Sequence, residues 1–424
     1  MDRGSSAVIA YAADRVLNTD PVETIERGVV LVDESRIEWV GRRADFDKLG
    51  AGRGAQLVDL GDVTLMPGLI DAHVHLAFDG GDNPVDRMNR ESDTQQVALM
   101  VRSARRLLSV GVTTARDLGA RGYTDVVVRD AIAEGTLQGP RLLTVGAPIT
   151  ITGGHCWFMG GEADSFHDVR KIVRLHHKNR VDQVKVMATG GFMTLGSAPW
   201  YPQYETEALV VIVAEAHRVG MRVAAHCHGV EGIRRAVEAG VDTLEHCSFV
   251  LEGGELSYDP QLGELIAASR AFVSPTINLR AKDFDPTFIE RLGQLRRAGA
   301  RFITGTDAGI DHVPHHGYPQ SLPLYRELGM STAEVIESAT SLAATALGLS
   351  GVTGRLAPGL DADLVAVRGN PLDDLSALAD LELVVARGRR FVPDELPEIG
   401  PLPDDLVPMT ERHSFERLDG TNDV

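Results

Sequence analysis

Two histidines spaced i, i+2, His73 and His75, close the apolar run Pro67-Gly68-Leu69-Ile70-Asp71-Ala72-His73-Val74-His75. On a β-strand, residues two apart point to one face, so both imidazoles would aim at a single spot. Neutral imidazole is a common ligand of catalytic divalent metals, and a catalytic site takes three or more protein ligands. The pair therefore gains meaning from partners elsewhere in the chain. His226, His246 and Asp307 each end a short apolar run, and Lys185 stands alone inside another, Val184-Lys185-Val186-Met187. A buried lysine is costly unless it is paired or chemically altered. Together the histidines and the aspartate have the donor composition of a catalytic metal centre.

Such residues act together only if the fold gathers them. Between residues 66 and 350 short β-branched runs alternate with helical periodicity. The runs are Val63–Ile70, Val112–Ala115, Arg141–Val145, Gln183–Met187, Arg222–Ala225, Val241–Leu244, Ala271–Ser274 and Arg301–Thr304. Helical spacing fills the gaps, from Asp93–Val110 through Val230–Ala239 to Thr332–Leu347, and the last helix opens on the capping box Ser331-x-x-Glu334. Gly220, Gly240 and Gly299 stand where helices should stop. Eight strand–helix repeats over roughly 285 residues match an α/β fold of the (β/α)8 TIM-barrel type, which places its chemistry at the C-terminal ends of its strands. The candidates fall at those ends: His73 and His75 on the first strand, His226 on the fifth, His246 on the sixth and Asp307 on the eighth, with Lys185 in the fourth.

The termini read differently. Residues 1–65 contain Ala7–Ala12, Gly28–Val32 and Arg36–Val40, and residues 351–395 contain Ala362–Val367, Leu381–Ala386 and Gly388–Val392. These are short alternating strands with turn signals between them, expected to pair into one small β-sandwich domain formed from both terminal segments. Residues 396–424, rich in Pro, Asp and Glu, are expected to be a mobile or loosely docked tail.

Composition sets the outer bounds. A chain of 424 residues with 43% hydrophobic and 24% charged residues can build a sizeable core. A net charge of −18 argues against a nucleic-acid or anionic-membrane partner. No apolar stretch is long enough to span a bilayer, and no signal peptide is read at the N-terminus, so a cytoplasmic location is expected. The three cysteines, Cys156, Cys227 and Cys247, each follow a histidine and read as small buried hydrophobes in a reducing compartment.

Further segments complete a likeness: Gly153-Gly154-His155, Lys185-Val186-Met187-Ala188-Thr189-Gly190-Gly191, Ala225-His226-Cys227-His228-Gly229, Glu245-His246, Gly305-Thr306-Asp307-Ala308-Gly309 and Gly359-Leu360-Asp361-Ala362-Asp363-Leu364-Val365. With the His73/His75 run, these make nearly the whole chain resemble the amidohydrolase superfamily, and within it the imidazolonepropionase-like group that includes Xaa-Pro dipeptidases. The cysteines after His226 and His246 depart from that group's usual small residue. The resemblance implies that His73, His75 and Asp307 hold the more buried metal and that His226 and His246 hold a second. It implies that Lys185, carboxylated on its amine, bridges the two. Zinc is the expected ion, two per subunit, with iron(II) or manganese(II) as substitutes and a mononuclear site with unmodified Lys185 as the alternative. A water between two cations would be hydroxide near neutral pH, and Asp307 would act as general base. His228 shares a strand face with His226 and would assist at the oxyanion, bind substrate or support a ligand. His155 and Tyr204 are expected to touch substrate.

The aromatic loop Gly190–Tyr204 suits an apolar or peptide-like substrate, and Arg87 or Arg90 could grip a carboxylate. His312, His315 and His316 are read as a surface cluster. The expected activity is hydrolysis of an amide or peptide bond in a small, Xaa-Pro-like substrate. Trimming of a modified peptide (bottromycin-type follower removal), hydrolysis of a cyclic amide or ester, and a catalytically retired binding scaffold are the alternatives. A homo-oligomer is compatible with all of them.

Overall fold

The computed structural model describes residues 8–48, 54–285 and 287–402. Among the described residues, five strands come first: β1 (Ile9–Asn18), β2 (Glu23–Asp33), β3 (Arg36–Arg42), β4 (Gln56–Asp59) and β5 (Val63–Pro67). Eight follow, separated mostly by helices: β6 (Leu69–Val74), β7 (Val112–Asp117), β8 (Arg141–Leu143), β9 (Gln183–Met187), β10 (Arg222–Gly229), β11 (Thr243–Val250), β12 (Phe272–Ser274) and β13 (Arg301–Phe302). The last three among the described residues are β14 (Leu364–Arg368), β15 (Leu381–Ala386) and β16 (Arg389–Phe391).

The eight middle strands are parallel, registered as β6-β7-β8 and as β13-β12-β11-β10-β9. Backbone bonds continue the pairing at both seams. Ile149 N–H donates to Lys185 O and Met187 N–H to Ile149 O, each at 2.8 Å, while Ala72 N–H reaches Thr304 O at 3.0 Å and His75 N–H reaches Ala308 O at 2.8 Å. The result is the (β/α)8 barrel. Strands such as Gln183–Met187 and Thr243–Val250 are buried at every position, on both faces, and the polar side chains they carry are therefore buried too.

The terminal strands join in one eight-stranded sheet, in the order β16-β15-β14-β5-β1-β2-β3 with β4 on β1. Ile37 N–H donates to Leu360 O and Ala362 N–H to Ser35 O, so the sheet curls until β3 meets the chain entering β14. Opposite stretches then enclose one core, as a sandwich does. Alternation is visible along β1, where Tyr11, Ala13 and Val16 face that core and Ala10 and Ala12 face Phe46 and Trp39.

The run Val63–Ile70, read as one barrel strand, is two. Residues 63–67 belong to the terminal sheet and the barrel begins at Leu69. Gly68 makes the junction, since a Cβ there would lie 2.1 Å from Thr113 Oγ1. The capping box at Ser331 forms as expected, but its helix stops at Ser338 and a second runs from Ser341 to Leu347. Tertiary pairing breaks it: the Ser338 and Ala339 carbonyls accept from Thr304 and Ile70 of the barrel. Of the expected tail, 403–424 lie outside the described residues. The part from 396 to 402 is anchored, with Leu396 against the barrel core and the Pro397 carbonyl accepting from His316.

Candidate functional site

At the C-terminal ends of the barrel strands, His75, Lys185, His226, His246 and Asp307 line one pocket, and His73 sits just beneath it. His73 Nδ1 is 2.8 Å from Glu245 Oε2, both side chains being fully buried. With that carboxylate as acceptor, Nδ1 carries the ring proton and Nε2 is left as a lone pair. Nε2 lies 3.1 Å from Asp307 Oδ1, and so does His75 Nε2. A second juxtaposition has the same character. Thr276 donates its hydroxyl proton to Pro275 O at 2.7 Å, so it accepts from His246 Nδ1 at 2.9 Å and leaves His246 Nε2 unprotonated. His226 Nε2 donates to Gly190 O at 3.0 Å, which leaves Nδ1 as a lone pair 3.0 Å from His246 Nε2.

Acceptors thus face acceptors. His73 Nε2 and Asp307 Oδ1 are buried without a hydrogen-bond partner, and so are His75 Nδ1 and, on the donor side, the Lys185 amine. Such a cluster is costly unless a cation sits among it, so the donor set fits a divalent metal. Candidate ligand atoms of His73, His246 and Asp307 lie within 4.8 Å of one another, as do those of His226, His228 and His246. His228 therefore belongs to the cluster more closely than the sequence suggested. Ser248 Oγ engages its Nδ1 at 2.8 Å, and its ring stacks on His246 with centroids 4.5 Å apart.

Electrostatics agree. Burial holds His75, His226, His228 and His246 below the usual histidine range, in the neutral form that binds metals. Burial alone would raise Asp307, but the adjacent His73 and His75 overcome it and hold the carboxyl well below its ordinary value. Burial also lowers Lys185, which eases loss of its proton.

The other expectations divide. His155 lines the pocket, 4.6 Å from the His226 ring, with Nδ1 unpartnered. Tyr204 does not reach it; the side chain is buried beneath its loop and its hydroxyl donates to Ala163 O at 2.7 Å. From the same loop, Phe192 and Met193 form pocket wall instead. Arg87 is taken up by Asp79 and Glu91, and Arg90 by the Asp86 carbonyl, so neither is placed to grip a substrate. His315 and His316 are buried rather than on the surface, because their ring nitrogens tie the loop after β13 to the His75 and Pro397 carbonyls. The three cysteines are buried and free. Cys156 lines the pocket, and burial pushes its thiol up to about 12, too high for a nucleophile at neutral pH.

Residues passed over in the sequence support this site from below. Arg116 reaches Glu245 at 2.7 Å inside the barrel and also holds the Ala72 carbonyl, one residue before His73. Asp71 accepts from Thr306 Oγ1 at 2.6 Å, tying the first strand to the last beside Asp307. Their signal was available: both Arg116 and Glu245, like Lys185, are charges inside apolar strands. Strict alternation sends Glu245 and His246 to opposite faces, yet a φ of +69° at His246 turns its ring back toward the site. Asp307 has a φ of +62°. Left-handed backbone at bulky residues is strain that collects at functional sites.

Residues 64–390 match the amidohydrolase family. This chain belongs to it. Among curated relatives of this amidohydrolase, ochratoxinase of Aspergillus niger is 30% identical over 431 aligned residues, covering 90% of this chain and 86% of that protein. Imidazolonepropionase of Salinispora tropica is 23% identical over 395, covering 85% and 92%. Among solved structures, A. niger ochratoxinase superposes with a TM-score of 0.80 at 27% identity, covering 95% of this chain and 99% of that one. A Xaa-Pro dipeptidase with methionine bound in its active site gives 0.79 at 27%, covering 91% and 100%. A prolidase complexed with N-methylphosphonate-L-proline gives 0.78 at 27%, covering 91% and 100%. The amidohydrolase is accordingly an enzyme, a hydrolase acting on carbon–nitrogen bonds. No described helix is long and apolar enough to cross a membrane.

Proposed function

We propose that this enzyme hydrolyses the amide or peptide bond of a small peptide-like substrate, with an Xaa-Pro dipeptide as the favoured class. One observation carries the reading: unprotonated nitrogens and a carboxylate oxygen converge on each other within a pocket walled by apolar side chains. The likeness to a Xaa-Pro dipeptidase and to a prolidase supports the substrate class.

His73, His75 and Asp307 would hold one divalent cation and His226 and His246 another, with Lys185, carboxylated at Nζ, between them. Zinc suits the imidazole-rich donor set. Such cations acidify water and polarise a carbonyl. Asp307, low in pKa and beside the ligand rings, takes the proton from the attacking water and passes it to the departing amine. His228 presents its second nitrogen to the oxygen that gains charge, while Ser248 holds the ring. His155 contacts the substrate's polar end. Phe78, Phe192 and Phe288 enclose its apolar part and exclude water.

A panel of dipeptides and N-acyl amino acids, incubated with the metal-loaded enzyme and assayed for released amine, tests this. Turnover is expected for Xaa-Pro members with apolar first residues. Silence across the whole panel would overturn the reading.

A further inference from the structure

Arg291 lies on the inner face of the helix Phe288–Arg297 with 4% of its surface exposed. A buried guanidinium is costly unless its donors are used, and every nitrogen here has an acceptor. Nε donates to the Ser248 carbonyl at 3.0 Å, Nη1 to Thr287 Oγ1 and Nη2 to the Asp285 carboxylate. Its central carbon stands 6.0 Å from the centre of the Phe288 ring. Ser248, Asp285 and Phe288 all line the pocket, and Ser248 Oγ meets His228 Nδ1 at 2.8 Å. One side chain therefore joins a wall of the pocket to the end of β11 and to a histidine of the metal cluster.

We infer that Arg291 is a positioning residue for substrate selectivity: it fixes Asp285 and Phe288 as one wall and, by compensating the Asp285 charge, makes that wall accept an uncharged apolar substituent. The inference rests on the amide-hydrolase reading of the same site. Without the guanidinium, Asp285 would present an uncompensated carboxylate to the pocket, and apolar surface is bound poorly beside a bare charge.

Arg291→Met, Arg291→Lys and the double variant Asp285→Asn/Arg291→Met are compared with the natural enzyme, metal-loaded, on its best apolar amide. Arg291→Met is expected to raise KM about tenfold with kcat within about threefold, a loss of binding rather than of chemistry. Arg291→Lys should restore part of KM, and the double variant should restore more by removing the uncompensated charge. A merely structural role would lower kcat through the folded fraction at constant KM, with no gain in the double variant; that outcome overturns the inference. Calorimetric binding of benzohydroxamate gives a readout without turnover, with Kd expected to weaken about tenfold in Arg291→Met. If the natural enzyme cleaves no amide, the functional reading falls while this Kd still decides the inference, and an unchanged Kd rejects it. Should Arg291→Met fail to fold, Phe288→Ala must raise Kd and KM in the same direction, and unchanged values reject the inference too.

Discussion

Glu245 fixes which nitrogen of His73 is free, so its role shows in metal affinity rather than in folding alone. Glu245→Gln keeps the shape but removes the anionic acceptor, and should weaken metal binding about 10- to 100-fold in a chelator competition; equal affinity would remove the orienting role. Asp307→Asn should lower kcat at least about 100-fold while metal analysis finds the ions largely retained, and unchanged turnover would remove the base. At this scale the donor residues were legible from type and strand position: His73, His75, Lys185, His226, His246 and Asp307 all reach one place. Glu245 was legible only in part: a charge inside a barrel strand signals a buried partner, but the fold alone shows that the partner is His73, 172 residues away. Tyr204 failed as a substrate contact for the converse reason, since an aromatic in a mouth loop can turn inward and satisfy its hydroxyl on backbone.

At the scale of elements, the barrel's strands and most helices could be read from period and from caps. Gly220 and Gly240 end their helices at φ of +78° and +80°, and Ser331 caps as its spacing requires. Ser331→Ala should cost about 1 kcal/mol of stability, read from the denaturant midpoint. What could not be read were junctions set by distant backbone. The helix after Ser331 breaks because strand β6 and Thr304 take its last carbonyls, and β5 parts from β6 where Gly68 passes close to Thr113. Gly68→Ala should therefore destabilise the fold by about 1–3 kcal/mol through overpacking. A melting temperature equal to that of the natural chain would show that the junction tolerates a side chain.

For the whole molecule, buried neutral histidines tie stability to pH. Burial holds His176 at about 4 and His315 at about 3, against 6.5 when exposed. As pH falls below 6.5 the unfolded chain takes up these protons first, so their contribution is intact above that value and declines toward pH 4 and below. Asp71, raised to about 7 by burial, works in the opposite sense and offsets part of the loss. Replacing His176 by Gln should shrink the drop in melting temperature between pH 7 and pH 5, as measured by scanning calorimetry; an unaltered drop would place the acid sensitivity elsewhere. The barrel's chemistry is tested most directly by titrating zinc into chelator-stripped enzyme while following amine release from an Xaa-Pro dipeptide. Activity should rise from background and level off at about two equivalents per chain, and full activity in the stripped enzyme before any zinc is added would contradict the metal centre.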